Sequence, residues 1–279
     1  DALEQHPISS VFMVPAMIMA VLSLPGIENR DFSKLNTIYY GASPISESVL
    51  RRAMEVFGSD FLQMYGMTET TGTVVNLTPA DHARALDGQP ELLQSCGRPS
   101  VGTQIRIMDL QANECRTGEV GEIWVKSDTN MQSYYNMPEE TAKNLTDGWV
   151  HTGDAGYLDD EGYLYLKDRM KDMVVSGGEN IYPVEVENTI ANMAAVADVA
   201  VIGIPDEKYG EALLAFVVVQ PGEKLELDDM IAFCREHIAG YKIPRKLEII
   251  AEMPRNPSGK ILKKELRKPF WEGIERNIG

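Results

Sequence analysis

Five short stretches bring hydroxyls, carboxylates, cations and glycines close enough together to do chemistry. Tyr65-Gly66-Met67-Thr68-Glu69-Thr70-Thr71-Gly72 puts an aromatic, a hydroxyl and a carboxylate within five residues, a set able to stack a base, contact a phosphate and hold Mg²⁺. Gly41-Ala42-Ser43-Pro44 offers small residues that let a flat ligand reach the backbone, but taken alone it reads as a plain turn. In Trp149-Val150-His151-Thr152-Gly153-Asp154 an acid follows a glycine turn, as do acids that accept both hydroxyls of a ribose; taken alone it reads as an Asx-turn. Asp168-Arg169-Met170-Lys171-Asp172 passes through the apolar Met173-Val174-Val175 into Ser176-Gly177-Gly178-Glu179-Asn180, where two glycines permit positive φ and close backbone approach. A charged linker with a glycine turn is the plain alternative. Asn256-Pro257-Ser258-Gly259-Lys260 carries a lysine at the tip of a loop. It is not a P-loop, because GxxxxGK[ST] fails at Pro254 and at Ile261.

These stretches need elements to position them, and the pattern of apolar residues supplies candidates. Residues 35–40 read as a strand ending at Gly41, 46–57 as a helix with one apolar face stopped by Gly58, and 61–65 as the next strand. Strand, helix and strand with short connections make the βαβ unit of a mostly parallel sheet. Loops at the carboxyl ends of such strands are where open α/β sheets bind ligands. From about residue 97 to 167, short alternating strands such as 103–108 and 122–126 suggest an antiparallel, barrel-like layer, with Asp147-Gly148 and Glu161-Gly162 at tight turns. Beyond this, helices at 183–193 and 227–238 and strands at 199–204, 212–219 and 246–250 describe a small α+β unit. The fold class expected is therefore α/β and α+β. Residues 1–170 form a large, incomplete domain (1–95 α/β, 96–170 β-rich), and 171–279 a small C-terminal one.

Composition narrows the function classes. Of 279 residues, 44% are apolar and 24% charged, which excludes disordered, collagen-like and disulfide-scaffold chains. A net charge of −16 argues against binding nucleic acid or an anionic membrane. Residues 241–279 invert the sign, with ten Lys/Arg against five Asp/Glu. A solvated helix face accounts for Lys263, Lys264 and Lys268 there. Cys96, Cys115 and Cys234 are odd in number and far apart, which fits a reducing, cytoplasmic compartment and gives no zinc or nucleophile signal. The apolar run at 11–24 contains Pro15 and Ser23, is too short to span a bilayer and reads as a buried helix.

Taken in order, the motifs resemble the adenylate-forming enzymes, and specifically their acyl-CoA synthetase branch. The stretches at 65–70, 148–154, 168–187 and 254–261 match that family's patterns, as do Ser95-Cys96-Gly97-Arg98-Pro99 and Gly118-Glu119-Val120-Gly121-Glu122. The ending at residues 266–271 is similar to fatty-acid–CoA ligases. The resemblance implies that a carboxylate, here a fatty acid, attacks ATP to give acyl-adenylate, which coenzyme A then captures with release of AMP. It assigns Lys260 to the meeting of carboxylate and α-phosphate, Glu69 to Mg²⁺ and Thr68 to phosphate. Asp154 and Arg169 would hold the ribose, and Tyr65 with Gly41, Ala42 and the neighbouring Ser43 and Gly66 would frame the adenine. Lys171 matches the family's hinge, and Gly177, Gly178 and Glu179 would line the pantetheine path. Aryl-CoA ligases, luciferase-like enzymes and carrier-protein adenylation domains share these motifs, and a non-catalytic nucleotide-binding protein is the rival from another class.

One departure is plain. The family carries a Ser/Thr/Gly-rich phosphate loop ending in Lys upstream of the 41–44 stretch, and residues 1–40 hold none. The expectation is a C-terminal portion lacking the front of its N-terminal domain. The 279-residue chain alone is then expected to show no acid-dependent ATP–pyrophosphate exchange.

Overall fold

In the computed structural model, residues 2–43, 45–256 and 259–273 are described. After a single turn, α1 (Ala2–Gln5), the apolar run at 11–24 does not form one buried helix. It divides into a strand, β1 (Ser10–Met13), and a helix, α2 (Pro15–Leu22). Pro15 sits at the first helical position, where its missing N–H leaves no bond unmade. Only one face is covered: Met13, Ile18 and Leu22 are buried, while Phe12, Met17 and Met19 stand about half exposed.

The strand–helix–strand reading holds in β2 (Thr37–Gly41), α3 (Glu47–Phe57) and β3 (Asp60–Met67), with β1, β2 and β3 parallel. Ser46 caps α3 by accepting from Val49 N, and Gly58 ends it in the left-handed conformation. Leu50, Ala53 and Phe57 bury its apolar face. β4 (Gly72–Leu77), α4 (Pro79–Leu86) and β5 (Arg98–Pro99) follow, and the sheet order is β1-β2-β3-β4-β5, with β4 antiparallel to both neighbours.

A second five-stranded sheet contains β6 (Thr103–Met108), β7 (Gly121–Ser127), β8 (Leu145–Thr146), β9 (Trp149–Leu158) and β10 (Leu164–Arg169), in the order β10-β9-β7-β6 with β8 paired to β9. The helix α5 (Pro138–Asn144) lies between β7 and β8 in sequence. Asp147 and Gly148 have φ of 50° and 80°, as a two-residue primed hairpin turn requires.

The third sheet contains β11 (Val174–Ser176), β12 (Glu179–Ile181), β13 (Val196–Asp206), β14 (Gly210–Val219) and β15 (Lys246–Ile249), ordered β12-β11-β14-β13 with β15 on β14. β13 and β14 are apolar at most positions because both of their faces are covered. Val199, Val201, Leu213 and Ala215 pack with α6 (Pro183–Ile190) and α7 (Leu227–His237), while Ala200, Ile202, Leu214 and Phe216 pack with Met253 and with Leu266 and Phe270 of α8 (Lys263–Trp271).

By contacts the chain forms two compact units, Asp1–Thr152 with Gly156–Leu166 and Gly153–Ala155 with Lys167–Gly279. No described helix is long and apolar enough to cross a membrane. The charge pattern misplaces one residue. Lys263 is not part of a solvated face: its Nζ lies 2.7 Å from Glu187 Oε1, and both side chains are about 15% exposed or less. Burial pushes the Glu187 carboxyl up, and the Lys263 ammonium opposes it.

A buried polar chain runs beneath the first sheet. His82 Nδ1 is 2.8 Å from the Thr78 carbonyl, which can only accept, so in the neutral imidazole Nε2 carries no proton and is the acceptor facing Tyr40 Oη at 2.9 Å. Burial lowers the His82 pKa from 6.5, against the pull of Thr78 and Asp81. The folded unit therefore resists a proton that the unfolded chain takes up near its ordinary pKa. His82 contributes stability above that value, lost as pH falls through and below it. The melting temperature is expected to fall between about pH 7.5 and about pH 5.5, less steeply in His82→Gln. Equal slopes in the two proteins would refute this.

Candidate functional site

The residues singled out by sequence fall into two groups, one in each unit. In the first unit, Gly41 ends β2 opposite Met64 of β3. A side chain at 41 would meet the Met64 carbonyl oxygen at 2.1 Å, so only glycine lets the strands pair at this edge. Ala42 follows in the left-handed region at φ 66°, a conformation non-glycine residues rarely keep without a reason. Ala42 and Ser43 are exposed. Pro44 lies outside the described residues.

Tyr65 lies in β3 as expected, and the strand continues through Gly66 to Met67 rather than ending at the glycine. The Tyr65 ring packs against the cluster around Val74, Val75 and Ile123. A 3-10 turn, Thr68–Thr70, then presents Thr68 exposed and Glu69 half-buried. Thr70 is buried and closes the turn, its hydroxyl accepting from Met67 N at 3.1 Å and donating to carbonyls of Met67 and Gly72. Tyr134 escaped the sequence reading: its phenol donates to Glu69 Oε1 at 2.8 Å across 65 residues of sequence. Burial, together with the Glu69 carboxylate, pushes the Tyr134 phenol up to about 12.

A divalent cation fits Glu69 in one way. Among the described residues, no group of three or more His, Cys, Asp or Glu side chains is placed to hold a metal ion. Glu69 alone would hold a divalent cation here, and such an ion would supply screening of phosphate charge, a role suited to Mg²⁺.

In the second unit, Asp154 lies within the ten-residue strand β9, so the Asx-turn reading of the 149–154 stretch is set aside. Arg169 Nη1 donates to Asp154 Oδ1 at 2.8 Å, with the Arg side chain half exposed and the Asp mostly covered. Asp168 serves the backbone instead, accepting from Arg169 N at 2.7 Å and from Val184 N at 3.0 Å at the start of α6. Lys171 follows in a 3-10 turn. Burial first, and then the cations Arg169, Arg267 and Lys264, hold its ammonium below the usual lysine range. Arg267 donates to the Lys171 carbonyl and pairs with Asp172.

Gly177 and Gly178, at φ 63° and 89°, make the two-residue turn between β11 and β12, with Ser176 opposite Glu179. Glu179 is exposed. Lys242 Nζ donates to both carboxylate oxygens of Glu185, at 2.6 and 2.7 Å.

Lys260 is exposed at the base of a hairpin in which Arg255 and Ile261 pair. Asn256 folds this loop: its side chain accepts from Lys260 N at 2.9 Å, and its backbone N–H donates to the Lys260 carbonyl at 2.9 Å. Arg255 reaches the Gly259 carbonyl and pairs with Asp198 at 2.6 Å. Pro257 and Ser258 lie outside the described residues.

Comparison with known proteins then supplies the family. The sequence model of the AMP-binding enzyme matches residues 1–135, and that of the AMP-binding enzyme C-terminal domain matches 185–260. The chain belongs to the AMP-binding enzyme family. Within it, the fatty acid–[acyl-carrier-protein] ligase ScoC of Streptomyces coeruleorubidus is 41% identical over all of this chain and 53% of its own length. The medium/long-chain-fatty-acid–CoA ligase FadD8 of Mycobacterium tuberculosis is 37% identical over 99% of this chain and 49% of its own. Among solved structures, o-succinylbenzoate-CoA synthetase MenE of Bacillus subtilis with its acyl-adenylate intermediate OSB-AMP gives a TM-score of 0.81 at 34% identity, covering 95% of this chain and 52% of that one. MenE has also been solved with ATP and a magnesium ion. The chain spans about half the length of the curated relatives it matches.

Proposed function

We propose that the full gene product carrying this sequence is an ATP-dependent carboxylic acid–CoA ligase acting on fatty acids. The observation that carries the reading is the alignment of the whole chain with ScoC and FadD8, whose names both specify a fatty acid. In the first half-reaction a carboxylate oxygen attacks the α-phosphorus of ATP and pyrophosphate leaves. In the second a thiol sulfur attacks the acyl carbon, the thiol proton passes to solvent, and AMP leaves with the bonding pair.

The obstacle in the first step is two anions meeting, so positive charge is needed where they converge. Lys260 is the proposed source, on a loop tied by Asn256. Asp154, held by Arg169, is proposed to accept the ribose hydroxyls, and Thr68 to meet phosphate. Glu69 would hold Mg²⁺, which when bound screens the phosphate charge. Tyr65, Gly41, Ala42, Ser43 and Gly66 would frame the adenine. Lys171 is the proposed hinge of a mobile C-terminal domain, and the turn of Gly177, Gly178 and Glu179 the proposed wall of the pantetheine path.

The test is ATP–pyrophosphate exchange by the full gene product across saturated fatty acids and aryl acids, followed by trapping with CoA. Exchange with fatty acids and thioester formation with CoA are expected. Exchange with aryl acids alone would refute the substrate, and no exchange with any acid would refute the activity. A second reading, with an acyl carrier protein as thiol donor, is favoured by the name of ScoC; acyl transfer to carrier protein but not to CoA would select it.

A further inference from the structure

Glu69 is held at both side chain and backbone by a segment that none of the motifs includes. Besides the 2.8 Å bond from the Tyr134 phenol to Oε1, the Glu69 carbonyl accepts from Met131 N at 2.6 Å. The next two residues are tied to the same segment. Thr129 Oγ1 donates to the Thr70 carbonyl at 3.0 Å, and Thr71, left-handed at φ 55°, donates its hydroxyl to the Thr129 carbonyl at 2.6 Å. Tyr134 is itself anchored, its N–H donating to Thr141 Oγ1 of α5 at 3.0 Å.

A neutral phenol bound to one carboxylate oxygen removes rotamer freedom from Glu69 without neutralising its charge, and it leaves lone pairs on both oxygens for a further ligand. Partners of this kind around metal-binding side chains orient the donor and tune its strength. We propose that Tyr134 is a positioning residue, aiming the Glu69 carboxylate at a divalent cation that bridges it to the nucleotide phosphates. This rests on the reading of Glu69 as a Mg²⁺ ligand given above. The bond from Thr129 to Thr70 holds the backbone of the same turn but does not touch the carboxylate, so it supplies a control.

The experiment measures binding rather than turnover. Mn²⁺ is titrated into the full gene product saturated with α,β-methylene-ATP, and free Mn²⁺ is followed by electron paramagnetic resonance. Tyr134→Phe, which keeps the ring, is expected to weaken Mn²⁺ by about tenfold or more while metal-free nucleotide binding is unchanged. Glu69→Gln weakens it as well, and Glu69→Gln/Tyr134→Phe is no weaker than Glu69→Gln alone, because the phenol acts only through the carboxylate. Thr129→Val retains wild-type Mn²⁺ affinity. The proposal is overturned if Tyr134→Phe binds Mn²⁺ as wild type does, if its effect persists in the Glu69→Gln background, or if Thr129→Val matches it. If Glu69→Gln leaves Mn²⁺ binding untouched, the metal reading of Glu69 itself falls, and the role of Tyr134 falls with it.

Discussion

Replacing Lys260 by Ala in the full gene product is expected to lower acid-dependent ATP–pyrophosphate exchange by about a hundredfold to a thousandfold, while thioester formation from supplied acyl-adenylate stays near wild type. The magnitude is that of removing one group aimed at charge developing in a transition state. The separation follows from the chemistry. Only the first step brings carboxylate and triphosphate together; the second begins with a neutral acyl carbon already bonded to AMP, and a lone ammonium has far less charge to compensate. Lys260 is exposed, and the loop is held by Asn256, Arg255 and Asp198 rather than by the lysine side chain. Folding should therefore be unaffected, and a melting curve superimposable on wild type is part of the expected result. Both half-reactions failing together would show that Lys260 is not specific to adenylation.

The second large effect is on stability. Glu187→Ala should destabilise the second unit by about 3–5 kcal/mol, because it strips the partner from a mostly buried Lys263 and leaves the Val201 N–H without its acceptor. Glu187→Gln keeps an oxygen for Val201 N and should cost less. Replacing both members, Glu187→Met with Lys263→Met, should recover much of the loss, since no charge then remains buried. Urea unfolding of the three variants decides the matter: if Glu187→Ala costs no more than a surface substitution, the pair does not hold α8 to α6.

Both predictions bear on what could be read from the chain before its structure. Glu187 and Lys263 lie 76 positions apart, and nothing in the local run of charges near Lys263 distinguishes it from Lys264 or Lys268, which are exposed. α8 turns Lys263 towards α6, and the arrangement of helices around the third sheet determines which lysine finds a carboxylate. The same holds for Tyr134, whose partner is set by how the segment after β7 returns to the turn after β3. Asp154 was legible as a candidate by residue type, but its setting was not. Gly153 adopts φ 67° inside β9 and does not end the strand, so a turn-like sequence became part of a sheet.

Local chemistry and pattern were sufficient by themselves for the elements whose reasons are local. Ser46 and Gly58 bracket α3, Asp147-Gly148 and Gly177-Gly178 suit the primed turns of their hairpins, and the apolar runs at 199–204 and 212–219 form strands. The order of motifs along the chain was also enough to place it among the adenylate-forming enzymes. Tertiary structure alone decided which faces of the 11–24 run are buried, which lysine of the basic tail is paired, and which phenol meets Glu69. Those outcomes depend on contacts between residues distant in sequence, and neither the period of a pattern nor the identity of neighbours along the chain carries that information.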